Sequence, residues 1–207
     1  MINRIVKICG IRCPKMAEQA VKAGADLIGI VFHPLSPRCV SFDQAAAVSA
    51  ATKRAGGLPV AVFVDHTAAD MHYLCEMADI HVVQLHGKAS RAQHHLLPKT
   101  YQRIYVQNVS SEGALQIEDG LAFLYPDRDF ILIDHEEPGR GNAIDRKKIK
   151  YTLPFPWILA GGLSSRNIVS AISELQPDGV DVSSGVESSL GIKDISLIQE
   201  FISLIRE

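Results

Sequence analysis

Short apolar runs rich in β-branched residues alternate along this chain with longer segments whose apolar positions recur every three or four residues. The short runs are Ile5 to Ile8, Leu27 to Val31, Val60 to Val64, His81 to Leu85, Arg103 to Val106, Phe130 to Ile133, Ile158 to Ala160 and Val180 to Val182. Each predicts a buried strand, because a strand covered on both faces reads as a nearly continuous apolar stretch. The segments between them predict helices at Lys15 to Ala23, Asp43 to Lys53, Ala68 to Met77, Ala89 to Leu96, Glu112 to Leu124, a short one near Asp145, Arg166 to Leu175, and Asp194 to Ile205.

Strand and helix in strict alternation, separated by turn residues, describe βα units. Eight such units in this chain leave about 26 residues each, close to the lower size limit of an eightfold β/α (TIM) barrel. A doubly wound open sheet is the main rival, but Gly10-Ile11-Arg12 after the first strand lacks the dinucleotide-binding glycine spacing. No linker, charge block or low-complexity stretch divides the chain, so the expectation is a single α/β barrel domain over residues 1–207.

Composition narrows the partners. The chain is 47% hydrophobic and 21% charged, the balance of a folded globular protein. With 21 Lys+Arg against 23 Asp+Glu, the net charge of −2 gives no general attraction to nucleic acid or to anionic membranes. The longest apolar runs fall far short of the ~20 residues of a membrane-spanning helix. The chain enters an apolar strand at once, with no secretory-signal pattern, which predicts a cytoplasmic protein. There Cys9, Cys13, Cys39 and Cys75 stay reduced, and their irregular spacing suggests neither a disulfide framework nor a zinc ribbon.

In a barrel of this kind the active site lies where strands give way to the following loops. Those positions carry Lys7 with Cys9, Phe32 with His33, Asp65, Gln84 with His86, Asp134, Gly161-Gly162, and Asp181 with Ser183. Side chains two apart on a strand share a face, so Lys7 and Cys9, Gln84 and His86, and Asp181 and Ser183 can point together into the barrel mouth. Gly161-Gly162 after the seventh strand and Ser183-Ser184-Gly185 after the eighth occupy the two loops where barrels most often hold a phosphate. Their backbone N–H groups, helped by a following helix N-terminus, can bind an anion without lysine or arginine; each is otherwise a tight turn. Cys9 is either a small buried hydrophobe or, with Lys7 beside it, a thiol activated as a base. Asp134 is a solvated loop carboxylate, a helix cap, or the acid facing that thiol.

The segments Lys7-Ile8-Cys9-Gly10-Ile11, Gly24-Ala25-Asp26, Ser36-Pro37-Arg38, Val83-Gln84-Leu85-His86-Gly87, Ala160-Gly161-Gly162-Leu163 and Val180-Asp181-Val182-Ser183-Ser184-Gly185-Val186-Glu187 occur in this order. Together they resemble the phosphoribosylanthranilate isomerase family. The resemblance runs from the first strand to Gly191-Ile192-Lys193-Asp194 and covers nearly the whole chain. It implies an Amadori rearrangement of N-(5-phosphoribosyl)anthranilate in tryptophan biosynthesis, with no cofactor and no metal. Cys9 falls on the general-base position and Asp134 on the general-acid position. Arg38 falls on the arginine near the anthranilate carboxylate, while Lys7, Gln84, His86 and Asp181 match site-lining positions. The phosphate is expected at Gly161, Gly162, Ser183, Ser184 and Gly185, in agreement with the loop positions. The partner implied is a small phosphorylated substrate, and the protein itself is expected to be a monomer or homodimer.

Two stretches depart from the family pattern. Pro138-Gly139-Arg140-Gly141-Asn142 stands where the family tends to show Gly-Gly-Thr/Ser-Gly-Lys, and Arg12-Cys13-Pro14 stands where a threonine or lysine commonly precedes the first helix. A metal-dependent epimerase would need Asp65, His86, Asp134 and Asp181 to converge as ligands. His81 and His86 do not help that reading because an odd separation puts them on opposite faces, and His94-His95 reads as a surface pair on a helix. A binding barrel that has lost catalysis is a further alternative, which the presence of both Cys9 and Asp134 opposes.

Overall fold

Strand β1 (Ile5–Cys9) pairs in parallel with both β2 (Leu27–Val31) and β8 (Gly179–Val182), and this double pairing closes the sheet on itself. The structure, a computed structural model, describes residues 4–109, 119–135, 149 and 151–206. The remaining staves are β3 (Leu58–Phe63), β4 (Val82–Leu85), β5 (Gln102–Val109), β6 (Phe130–His135) and β7 (Trp157–Leu159), and the barrel order is sequential from β1 to β8. Helices α1 (Pro14–Lys22), α2 (Phe42–Arg54), α3 (Ala68–Ala78), α4 (Lys88–Gln93), α5 (Ile168–Leu175) and α6 (Ile195–Arg206) cover the outside. After β8 a short antiparallel hairpin forms from β9 (Glu187–Ser189) and β10 (Ile192–Lys193).

Two apolar layers follow from the period-2 alternation of the strands. Inside the barrel, Leu27, Val60, Val82, Ile104, Leu132 and Ile158 pack together. Between staves and helices lies the larger layer, which includes Val6, Ile8, Ile28, Ile30, Phe63 and Phe201, all buried. Full burial of one such aliphatic side chain contributes about 1.5–3 kcal/mol, so the outer layer supplies most of the driving force. The alternation also dictates that Lys7 and Cys9, flanked by outward-facing Val6 and Ile8, point inward.

Carboxylates at the opposite end of the barrel satisfy strand N–H groups that have no ladder partner. Asp26 accepts from Val6 N at 2.8 Å, Asp129 from Arg103 N at 2.9 Å, and Asp178 from Trp157 N at 2.9 Å. Each would otherwise be a buried orphan donor. Ser41 opens α2 with a capping box to Gln44, and Thr67 opens α3 with one to Asp70. These caps fix where the loops above β2 and β3 end.

Several expectations are corrected. Of the helix expected at Glu112 to Leu124, the described part is a 3-10 turn, Asp119–Phe123. Helix α5 begins at Ile168 rather than Arg166. The fourth helix changes to 3-10 geometry at His94–Leu96, and His94 is buried rather than on the surface, its Nε2 3.0 Å from the Gly120 carbonyl. The short helix expected near Asp145 and the Pro138 to Asn142 loop lie outside the described residues. Among the described residues no helix is long and apolar enough to cross a membrane.

Candidate active site

At the end of the barrel where the strands terminate, a cavity of about 520 Å³ opens, lined by Cys9, Arg38, Gln84, His86, Asp134 and Asp181 among others. The sequence singled out all six. Lys7 sits just below them, fully buried, and donates to Asp181 Oδ1 at 2.9 Å. Burial alone would push the Lys7 ammonium down; the Asp181 carboxylate, with the Cys9 sulfur adding to it, outweighs that and holds Lys7 above the ordinary lysine value of 10.5. Burial pushes the Cys9 thiol up from its ordinary 9.0, while Lys7 and, more weakly, Lys193 pull it back.

The close packing of this pair depends on Gly29, the residue of β2 that faces Cys9 in register. A Cβ at position 29 would stand 2.7 Å from Cys9 Sγ and 3.1 Å from Lys7 Nζ. Glycine is therefore the residue type that leaves thiol and ammonium their places.

On the far wall, the amide N–H of Gln84 donates to His86 Nδ1 at 3.2 Å. Burial, with the cations Lys7 and Arg91 adding to it, lowers His86 to about 4, so the ring is neutral near pH 7. With Nδ1 accepting, the proton resides on Nε2, which faces Asp134 Oδ2 at 3.9 Å, beyond direct hydrogen-bond range. Asp134 is in register with Asn108 of β5 and projects into the cavity from β6. Cys9 and Asp134 thus approach the cavity from staves separated by β7 and β8 on the shorter way round.

Arg38 reaches the site from the loop after β2. Its stem lies across Gly10, whose φ of +80° and lack of a side chain are both required: a Cβ there would fall 2.5 Å from Arg38 Cδ. The guanidinium is held by Glu187, with Nε donating to Oε1 at 2.7 Å and Nη2 to Oε2 at 2.9 Å. Glu187 also accepts from Lys193 Nζ at 2.7 Å and from Gly191 N at 3.1 Å. Burial works against this carboxylate, but the hydrogen bonds from Arg38 and Lys193 bring it down to about 2.

The two glycine- and serine-bearing loops meet beside the cavity. Gly161 and Gly162 have φ of +86° and +63°, and a Cβ at Gly185 would collide with the Leu163 carbonyl at 1.9 Å. Only glycine at 185 lets the loops after β7 and β8 approach this closely. Ser183 lines the cavity and its Oγ donates to the Cys9 carbonyl at 3.1 Å, whereas Gly161, Gly162, Ser184 and Gly185 do not line it. The loop after β8 carries a 3-10 turn at Ser184–Val186, and α5 starts at Ile168.

Asp65 does not join the cluster: its side chain is 69% exposed and lies 3.5 Å from His33 Nδ1 at the rim. Sequence reasoning passed over Gly29, Glu187 and Lys193 as site residues. For Glu187 and Lys193 the available signal was the pair of opposite charges flanking the Ser188 to Ile192 turn, directly after Ser183-Ser184-Gly185; nothing local marks Gly29.

A family model described as N-(5'phosphoribosyl)anthranilate (PRA) isomerase matches residues 6–204. The chain is 38% identical over 210 residues to N-(5'-phosphoribosyl)anthranilate isomerase 1, chloroplastic, of Arabidopsis thaliana, covering 98% of this chain and 74% of the relative. It superimposes with a TM-score of 0.82 on the crystal structure of phosphoribosyl anthranilate isomerase from Thermotoga maritima, at 31% identity and with 98% of each chain covered. A further phosphoribosyl anthranilate isomerase structure, in complex with reduced 1-(o-carboxyphenylamino)-1-deoxyribulose 5-phosphate, gives a TM-score of 0.75 at 30% identity, again over 98% of both chains.

Proposed function

The chain belongs to the N-(5'-phosphoribosyl)anthranilate isomerase family, and we propose that it carries out the Amadori rearrangement of tryptophan biosynthesis with Asp134 as general acid and Cys9 as general base. The observation that carries the assignment is the convergence of these two groups on one cavity, with the Lys7–Asp181 ion pair beneath the thiol.

Asp134 protonates the ribose ring oxygen, and cleavage of the bond to carbon 1 opens the ring to an iminium. The cationic nitrogen acidifies the hydrogen on carbon 2, which the Cys9 thiolate removes; the electron pair forms the carbon 1–carbon 2 double bond of an enolamine. Protonation at carbon 1 and loss of the carbon 2 hydroxyl proton complete the ketose. Atoms balance, and the substrate's own nitrogen is the electron sink, so the side chains suffice as acid and base. Lys7 supports the thiolate electrostatically, and Asp181 holds Lys7 in place. Gln84 fixes the tautomer of His86, whose Nε2–H faces the Asp134 carboxyl group.

Arg38 supplies donors for the anthranilate carboxylate, a planar anion that a guanidinium fork fits. The phosphate takes the backbone N–H groups of Gly161, Gly162, Ser183, Ser184 and Gly185, a reading supported by the close approach of the two loops at Gly185 and Leu163. The ligand is a small phosphorylated molecule, and the reading extends to a cytoplasmic monomer or homodimer.

Turnover of freshly generated phosphoribosylanthranilate, followed by loss of anthranilate-type fluorescence in the presence of chelator, tests the reading. Wild type should be active, while Cys9→Ala and Asp134→Asn should each lose about 10²–10⁴-fold in kcat. An inert wild type would remove the activity; variants near wild-type rates would remove the named residues.

A further inference from the structure

Arg38 and Lys193 come from opposite ends of the chain yet share one carboxylate, that of Glu187. All three side chains are buried. The bonding is uneven. Lys193 spends its ammonium donors on Ser183 O at 2.9 Å, Ser183 Oγ at 3.2 Å and Glu187 Oε1 at 2.7 Å. Arg38 gives Nε and Nη2 to Glu187, and its Nη1 remains on the side of the guanidinium away from those two bonds. Two cations against one anion leave the cluster with an excess positive charge, and Arg38 lines the cavity while Lys193 does not.

Nothing in this arrangement is loose. The Arg38 stem is pressed onto Gly10, and its backbone N–H donates to Ser36 Oγ at 3.1 Å. The hairpin that bears Glu187 touches the Arg38 loop a second time, since a Cβ at Gly191 would stand 2.8 Å from the Pro37 carbonyl. A long, flexible arginine is thus held in one pose before any ligand arrives, which reduces the ordering cost of binding.

We propose that Glu187 is the positioning residue for substrate choice: by clamping Arg38 it presents one unmatched positive charge to the cavity and so selects an aryl amine that carries a carboxylate. This rests on the assignment of Arg38 to the substrate carboxylate made above. Glu187 itself touches no reacting atom. Its contribution is to leave the substrate carboxylate, and no internal one, to complete the charge balance.

The test compares two stable ligands on one protein sample by calorimetry: reduced 1-(o-carboxyphenylamino)-1-deoxyribulose 5-phosphate and its phenylamino counterpart without the carboxylate. Wild type should prefer the first; Glu187→Gln should shrink that preference about tenfold or more, while affinity for the second changes little. In Arg38→Met the preference should be equally lost, and adding Glu187→Gln should reduce it no further. The ratio of the two affinities does not depend on the folded fraction. If Glu187→Gln fails to fold, Glu187→Asp serves, because it keeps the charge but draws the acceptor back by one methylene. Equal weakening of both ligands would mark a merely structural role and overturn the proposal, as would a preserved preference. A wild type with no preference would overturn both this proposal and the assignment of Arg38, whereas a preference present in wild type and retained in the variant would overturn this proposal alone.

Discussion

Asp181 accepts its hydrogen bond from Lys7 across the seam where the last stave meets the first, and the two residues are direct partners in the β1–β8 register. The ion pair beside the Cys9 thiol is therefore also part of the closure of the barrel. Its Coulomb attraction operates away from water, where loss of one partner leaves the other charge uncompensated. Lys7→Met should cost about 3–5 kcal/mol in stability, read from urea unfolding, and abolish most turnover. Adding Asp181→Asn should restore part of the stability and none of the activity.

The ionisation of Cys9 gives a second prediction. Burial raises the thiol above 9.0, and Lys7 is the main group pulling it down. In a background with the other cysteines replaced, thiolate absorbance and alkylation rate should titrate above pH 9. Removal of Lys7 should shift both curves further upward. A midpoint below the ordinary thiol value would contradict the environment described for Cys9.

Gly29 separates site geometry from fold stability. Its backbone conformation is open to alanine, yet the added Cβ would press on Cys9 Sγ at 2.7 Å. Gly29→Ala should cost about 1–3 kcal/mol as a local overpacking. Its kcat should fall by about 10²-fold, because small displacements of a reacting group are expensive in rate. Melting curves and steady-state kinetics on the same preparation would check both; a folded variant with unchanged kcat would show that the close packing has no catalytic consequence.

Acid sensitivity should begin well above the carboxylate range. His86 and His94 are both lowered to about 4 from 6.5, chiefly by burial. The unfolded chain takes up these protons first, so the stability from keeping both rings neutral is complete above pH 6.5 and is lost as pH falls through about 4. Glu187, lowered from 4.5 to about 2, adds a second phase of loss over that lower window. Unfolding free energy measured between pH 7 and pH 4 should decline, and His94→Gln should flatten part of the decline.

The staves were legible because each is a short apolar run between turn residues, and Leu27 to Val31 was read to the residue. Reading stopped short at β5, which extends from the expected Val106 to Val109. Gln107 and Asn108 look like a loop in sequence, but the ladder to Ile133 and Asp134 keeps them extended. The caps Ser41 and Thr67 were passed over, since a serine or threonine before an apolar helix is also ordinary loop composition. His94 was misplaced because two adjacent histidines carry no apolar signal, while its burial depends on Tyr105 and Gly120 from the next unit.

By itself the sequence determined the barrel, the inward phase of Lys7, Cys9, Gln84, His86, Asp134 and Asp181, and the two loops that bear the small residues, because strand periodicity and strand-end position are local properties of the chain. Only the tertiary structure decided what those residues meet. Arg38 and Glu187 lie 149 positions apart, and Lys7 and Asp181 lie 174 apart. Neither spacing contains any information about contact until the closed sheet brings β8 beside β1. The clearances at Gly10, Gly29 and Gly185 are of the same kind, since what a missing Cβ makes room for belongs to another strand or loop.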